Sequence, residues 1–370
     1  MRASPDPEDY NADDFCPQNR VFASDQVSGA HFIVALEKKQ VTIRGRGRID
    51  GSARSWLNKP VRIGKRISYQ YPAWRPGQML FFCECQDLTI DGPQLFDAPY
   101  WNCLLLGCED VMIRDLRIQA DMMGHNGDGI NIDCCRRVLV SGCLIEGSDD
   151  CIAVRASASQ LNKAKACEYV NISDCILKTY ESGVRVGVRD GLIRRVKVSN
   201  LQIQGASVGI CVCSRWRNGR GADIEDLVFD NICMDVERPF NINSMVSGNR
   251  QNSGNSGYLS RISFRNICAL GTHSSLVCAL PNSVVSDISF MDVNLRLSGG
   301  EDAKGQNWYD GSPAMPAAFY LENAANIEFD RVRLDWISGR ENWRHAIDAK
   351  AIKNLRVENC QLQKPTRKRR

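Results

Sequence analysis

Long apolar runs are missing from this 370-residue sequence: no stretch reaches the roughly 18 to 20 uncharged residues that a helix needs to span a bilayer. The opening residues, MRASPDPEDYNADD, lack the basic and apolar regions of a signal peptide. Excess charge is also missing. The formal net charge is +4, but five positive charges lie between Lys364 and Arg370, and the rest of the chain carries one more acid than base. That balance excludes the basic footprint of a nucleic-acid binder. Apolar spacing of three and four is absent, so no long α-helix is expected. At 43% hydrophobic and 24% charged, the chain is too rich in patterned apolar residues to be disordered.

Cysteine is plentiful, at 17 residues, yet it is not arranged in the CxxC pairs of a zinc site. Residues such as Cys143, Cys175, Cys233, Cys268 and Cys360 sit singly in apolar or alternating segments, where they read as small buried hydrophobes. The adjacent Cys134 and Cys135 and the alternating Cys211 and Cys213 do not by themselves make a metal site. A disulfide scaffold is not expected at this length, and so many free thiols lean towards a reducing compartment.

One phrase recurs along the chain: two apolar residues one apart, a polar step, commonly Asn or Asp, then two more alternating apolar residues. Copies begin at Leu88, Val111, Val138, Val170, Val196, Leu227, Ile262, Ile288, Ile327 and Leu355, and the interval between them drifts. Period-2 alternation gives each strand one inward face, and a polar corner repeated on successive turns can stack as a ladder. The pattern predicts an all-β fold, a single-stranded right-handed parallel β-helix with variable loops, in preference to a β-sandwich or propeller. Residues 246–258 and 297–318 are polar, Gly-rich insertions that read as loops, leaving one domain over 1–370, with 1–40 irregular or truncated and 364–370 a basic tail.

One region departs from the repeat. Gly124-His125-Asn126-Gly127-Asp128-Gly129-Ile130 is followed by Gly147-Ser148-Asp149-Asp150-Cys151-Ile152, and the step from Asp128 to Asp150 is one turn of the coil. With adjacent coils about 4.8 Å apart, Asp128, Asp149 and Asp150 are expected to cluster at the entry of two strands. Carboxylates at that range repel, so one acid should keep its proton while its neighbours ionise, the division of labour that glycosidic hydrolysis needs. Capping of a turn is the structural alternative, and a Ca²⁺ site is the other chemical one.

Together, Val41-Thr-Ile-Arg-Gly-Arg-Gly-Arg-Ile-Asp-Gly51, Arg75-Pro76, Trp101, Asn126-Gly-Asp128-Gly, Gly147-Ser-Asp149-Asp150 and Gly219-Arg-Gly221 make the chain resemble glycoside hydrolase family 28, the polygalacturonase-type enzymes, over roughly positions 40 to 245. The resemblance implies a pectin lyase-like right-handed β-helix that hydrolyses α-linked galacturonide or rhamnogalacturonan bonds with inversion, without metal or cofactor. It implies Asp149 as general acid, with Asp128 and Asp150 activating water, at the separation of roughly 6.5 to 9.5 Å expected of inverting pairs.

The chain also departs from that family. Ser182 stands where the family has a histidine, and Cys211 and Cys213 stand where it has an Arg and a Lys that grip a uronate carboxylate. A thiol cannot replace those charge-assisted bonds. A different sugar beside the cleaved bond is therefore expected, or recognition through His125, Asn126, Ser182, Arg185, Arg215 and Arg220. Alternation places Arg185 outward between Val184 and Val186. Trp101 suits either sugar stacking or a core position.

An oligo- or polysaccharide is the expected partner, with no nucleic acid, no membrane and a monomeric chain. Two competing readings are a uronate lyase or epimerase, with carboxylate-bound Ca²⁺ and Arg185 or Arg155 as base, and a non-catalytic carbohydrate-binding solenoid. The family points to a secreted or periplasmic protein and the thiols to the cytoplasm. Little chain precedes the Val41 motif, so a shortened N-terminus is expected.

Overall fold

The computed structural model describes residues 1–10, 16, 27–57, 59–63, 66–70, 72, 74–215, 220–244, 257–280, 283–299, 315–338 and 342–363. The basic tail, Gly219 and most of both Gly-rich insertions lie outside the described residues. The chain divides into two compact units, Met1–Val184 and Arg185–Arg370.

The repeat read from the sequence is the repeat of the coil. In the first unit Val41, Leu88, Val111, Val138 and Val170 are successive partners in one parallel ladder. In the second unit Val196, Leu227, Ile262, Ile288, Ile327 and Leu355 follow one another in the same way. Each unit is built as a right-handed parallel β-helix, in which parallel strands are joined by crossovers of the favoured hand. Short 3₁₀ turns lie at Pro7–Asp9, Ala53–Ser55 and Ala158–Gln160.

The polar step in each repeat turns the chain. Asp115 and Asp174 in the first unit, and Asn200, Asn231, Asn266, Asp292, Arg331 and Asn359 in the second, are left-handed, with φ between 51° and 57°. Asn and Asp tolerate that region better than other residues with a side chain. The Asn231 amide donates to Asn200 Oδ1 at 2.9 Å, so the expected corner ladder forms there. At Arg331 the ladder changes chemistry, and the guanidinium grips Asp292 at 2.6 Å and 2.7 Å.

Packing inside the coil repeats as well. In the second unit Phe229, Phe264, Phe290 and Phe329 stack in register, with centroids 5.0, 5.0 and 5.1 Å apart and planes within 10° of parallel. In the first unit the cysteines form a column of their own. Cys85, Cys108, Cys135 and Cys167 each precede the first apolar residue of a repeat by three positions. Their thiols bond the carbonyls of Ala35, Phe82, Leu105 and Ile132 at 3.3, 3.4, 3.5 and 3.6 Å. Those four acceptors are themselves in register, one coil apart. Among the described residues no disulfide forms, and the cysteines are buried except for the exposed Cys233 and Cys268 and the intermediate Cys360.

One sheet of the first unit departs from one-sided burial. Strands Leu80–Cys83, Cys103–Leu106 and Ile130–Asp133 are buried at every position, as is Ile152–Ala156. Their inward residues fill the coil. On the last two strands, outward polar residues are withdrawn from water by bonding one another, and these strands carry the candidate site.

Candidate active site

Ile130 and Ile152 are register partners, and Asp128 and Asp150 each precede one of them by two positions. The two acids therefore share one phase on adjacent coils. Gly129 N–H donates to the Asp150 carbonyl at 2.9 Å, and the Asp128 carbonyl accepts both the backbone N–H and the side-chain amide of Asn102, each at 2.9 Å. Gly129 is required by the closeness of these coils: a Cβ there would lie 2.3 Å from the Cys151 carbonyl oxygen and 2.7 Å from Ile145. Any side chain would push residue 128 away from residue 150.

Asp128, Asp149 and Asp150 come together as expected, each offering a carboxylate oxygen within 4.8 Å of the others. Asp128 and Asp150 are both only 1% exposed, while Asp149 is half-buried. Asp149 Oδ1 accepts the backbone N–H of Asp150 at 2.9 Å, and its carbonyl accepts the hydroxyl of buried Thr179. The 4.8 Å closeness is between single oxygens, one from each acid. Two of the acids occupy adjacent coils and the third is the chain neighbour of one of them, so the fold itself compresses the cluster.

Arg155 organises the two buried acids. Its Nη2 donates to Asp128 Oδ2 at 3.0 Å and lies 3.4 Å from Asp150 Oδ2, while Nε donates to Asn131 Oδ1 at 2.7 Å. Asn131 completes the loop by donating to Asp128 Oδ2 at 3.2 Å. The local sequence explains the geometry. Ile152 and Val154 point inward, which turns Arg155 outward, and the small Ala153 opposite Asn131 leaves the guanidinium room to reach back. The Arg155 guanidinium carbon lies 4.6 Å from the Trp101 ring centroid; Trp101 stacks on Tyr100 at 5.2 Å, and Arg75 lies 4.9 Å from the Tyr100 ring. Trp101 is thus 8% exposed and committed to a cation rather than open on both faces.

Among the described residues, these three acids are the one group of His, Cys, Asp or Glu placed closely enough to hold a metal ion. The Arg155 guanidinium lies against two of them and offsets a single negative charge, which a proton-transfer site tolerates; a cation bound by all three would have to share space with it.

The residues expected to contact substrate are placed unevenly. His125 is half-buried, with Nε2 donating to the Tyr69 carbonyl and 3.2 Å from Ser68 Oγ. Burial, and secondarily the neighbouring Arg75 cation, lower its pKa. The Asn126 amide oxygen accepts from Arg75 at 2.8 Å, and the same guanidinium holds the carbonyls of Pro99 and His125 at 2.8 Å. Ser182 is buried, and its carbonyl accepts the Cys151 N–H at 2.9 Å. In the second unit Arg185 and Arg215 are 5% and 1% exposed, so neither is a solvated cation, whereas Arg220 is exposed and pairs with Asp223 at 3.1 Å. Cys211 and Cys213 are buried, and the Cys213 thiol donates to the Arg215 carbonyl at 2.8 Å.

The sequence reading missed the roles of Asn131 and Asn102 and named Arg155 only as the base of a lyase. The available signal was the outward phase of Asn131 and Arg155 on strands whose entries carry the acids.

Comparison with known proteins bears on the family and the fold. The chain is 26% identical to a probable polygalacturonase of Arabidopsis thaliana over 59% of its own length and 43% of that protein, and 24% identical to a polygalacturonase of Cryptomeria japonica over 77% and 56%. It spans about half the length of the curated relatives it matches. In fold it resembles an exopolygalacturonase from Thermotoga maritima, with a TM-score of 0.64 at 19% identity over 80% of this chain and 73% of that one. A family 28 exopolygalacturonase from Yersinia enterocolitica gives a TM-score of 0.70 at 14% identity over 95% and 66%. The family model of glycosyl hydrolases family 28 matches residues 18–312, and the chain belongs to that family.

Proposed function

We propose that this chain hydrolyses α-glycosidic bonds of a pectin-related galacturonide or rhamnogalacturonide, or of another acidic glycan. Family membership and the names of the matched relatives support the substrate class. The observation that carries the chemistry is the cluster of Asp128, Asp149 and Asp150, with two members held on a guanidinium and the third half-buried. Asp149, the member with most access to solvent, is assigned as general acid, giving its proton to the departing glycosidic oxygen. Asp128 and Asp150, as carboxylates, orient the attacking water and take its proton, so the proton count closes over the reaction.

The resemblance implies inversion, and two carboxylates on adjacent coils can seat a water from one side. The buried thiols Cys211 and Cys213 supply no cationic clamp, which favours a sugar other than galacturonate at one subsite.

The test is incubation with defined galacturonide, rhamnogalacturonide and neutral α-linked oligosaccharides. Release of shorter saccharides from an acidic member supports the assignment. A product with a new double bond, absorbing in the near ultraviolet and formed only with Ca²⁺, would support the lyase reading instead.

A further inference from the structure

We propose that Arg155 is the positioning residue of the acid cluster, holding Asp128 and Asp150 as one aimed pair while the Trp101 ring holds the guanidinium. The proposal rests on the hydrolytic assignment of the same site and adds a residue to it. Three observations converge. Arg155 is 8% exposed, so its charge has left bulk water for partners at fixed places. Its Nη2 faces Oδ2 of both acids, at 3.0 and 3.4 Å, and its Nε reaches Asn131, which itself donates to Asp128. Its carbon lies 4.6 Å from the Trp101 centroid, a contact that a planar delocalised cation makes well.

Geometry and charge are separable in this arrangement. A planar fork fixes the directions of several acceptors at once, whereas an ammonium at the end of a flexible stem fixes one or two. Lysine at position 155 would keep a positive charge and lose the aim. Methionine would remove both, taking this positive charge away from two buried carboxylates. Trp101, one coil before Asp128, and Arg155, one coil after it, thus bracket the acid that both help to place.

The experiment compares the wild-type chain with R155K and R155M on a cleaved oligosaccharide, with folding checked by thermal melting. R155K is expected to lose about 100-fold in kcat, the cost of a small misplacement, with KM held within about threefold. Its kcat/KM profile should keep the wild-type acid limb, because the charge remains. R155M is expected to move that limb upward by about one pH unit or more. If R155M does not fold, R155K alone decides through kcat per folded molecule, with the folded fraction taken from its melting curve.

Activity losses that only follow the folded fraction, or a folded R155M whose acid limb stays at the wild-type pH, would overturn the proposal, as would a folded R155K of wild-type kcat. A wild-type chain that cleaves no glycan sinks the hydrolytic assignment instead. Arg155 is then judged by ¹³C resonances of the Asp128 and Asp150 carboxyls in R155K: displaced resonances support the positioning role, and wild-type resonances refute it.

Discussion

Asp128 and Asp150, on neighbouring turns of the coil, share a single guanidinium nitrogen: Arg155 Nη2 lies 3.0 Å from one Oδ2 and 3.4 Å from the other. That shared contact makes two acids on different coils behave as a pair. It also distinguishes them from Asp149, whose Oδ1 is turned to its own neighbour's N–H.

Replacing Asp149 by Asn removes the assigned proton donor. The expected loss is about 10²- to 10⁴-fold in kcat, with KM little changed. A substrate with a good leaving group, which needs no protonation, should recover most of that loss in D149N and little of the loss in D128N. Equal behaviour of the two variants on such a substrate would contradict the roles.

Gly129→Ala tests the closeness of the coils. With a Cβ directed at the Cys151 carbonyl from 2.3 Å, the backbone has to shift, and a cost of at least about 2 kcal/mol is expected in urea unfolding. The same shift should separate Asp128 from Asp150, so any folded G129A is expected to be inactive. An active and equally stable variant would show that the coils yield more easily than their packing implies.

His31 gives the fold a pH dependence of its own, in the same phase as Asp128 and three coils before it. It is 5% exposed, its Nδ1 donates to the Gln78 carbonyl at 3.1 Å, and burial pushes its pKa down to about 4. The unfolded chain takes up this proton near pH 6.5, before the folded chain does. Stability from this residue is therefore full above pH 6.5, falls as the pH drops, and is lost by about pH 4, amounting to about 3 kcal/mol. Urea unfolding of wild type and His31→Phe at pH 7 and pH 4.5 measures it, and the difference between the two pH values should shrink in the variant.

The thiols should react in three classes. Cys233 and Cys268 are exposed and in register on adjacent strands, whereas the column Cys85, Cys108, Cys135 and Cys167 is buried. An aromatic disulfide reagent should label the first pair quickly in the native protein, Cys360 more slowly, and the column only on unfolding. Mass spectrometry of labelled peptides assigns the sites.

The sequence made the coil and the acid pair legible for the same reason, a phase that repeats. Leu88, Val111, Val138 and Val170 align by pattern alone, and Asp128 and Asp150 hold the same offset from Ile130 and Ile152. Arg155 was not legible as an organiser, because an outward arginine on a strand resembles a solvated one until Trp101 and the acids are brought around it by neighbouring coils. The cysteine column escaped notice although its spacing was present, since each thiol reads locally as a small apolar residue. The hairpin of Pro60–Ile63 with Arg66–Tyr69, which supplies the carbonyl for His125, interrupts the repeat and so had no phase to betray it.

The most direct test of the three-acid chemistry is the configuration of the first product formed from a defined α-linked galacturonide, followed by ¹H NMR before mutarotation. Water seated by Asp128 and Asp150 opposite the bond that Asp149 protonates is expected to release the β-anomer first. Initial release of the α-anomer would contradict these roles and make one of the three carboxylates a covalent nucleophile.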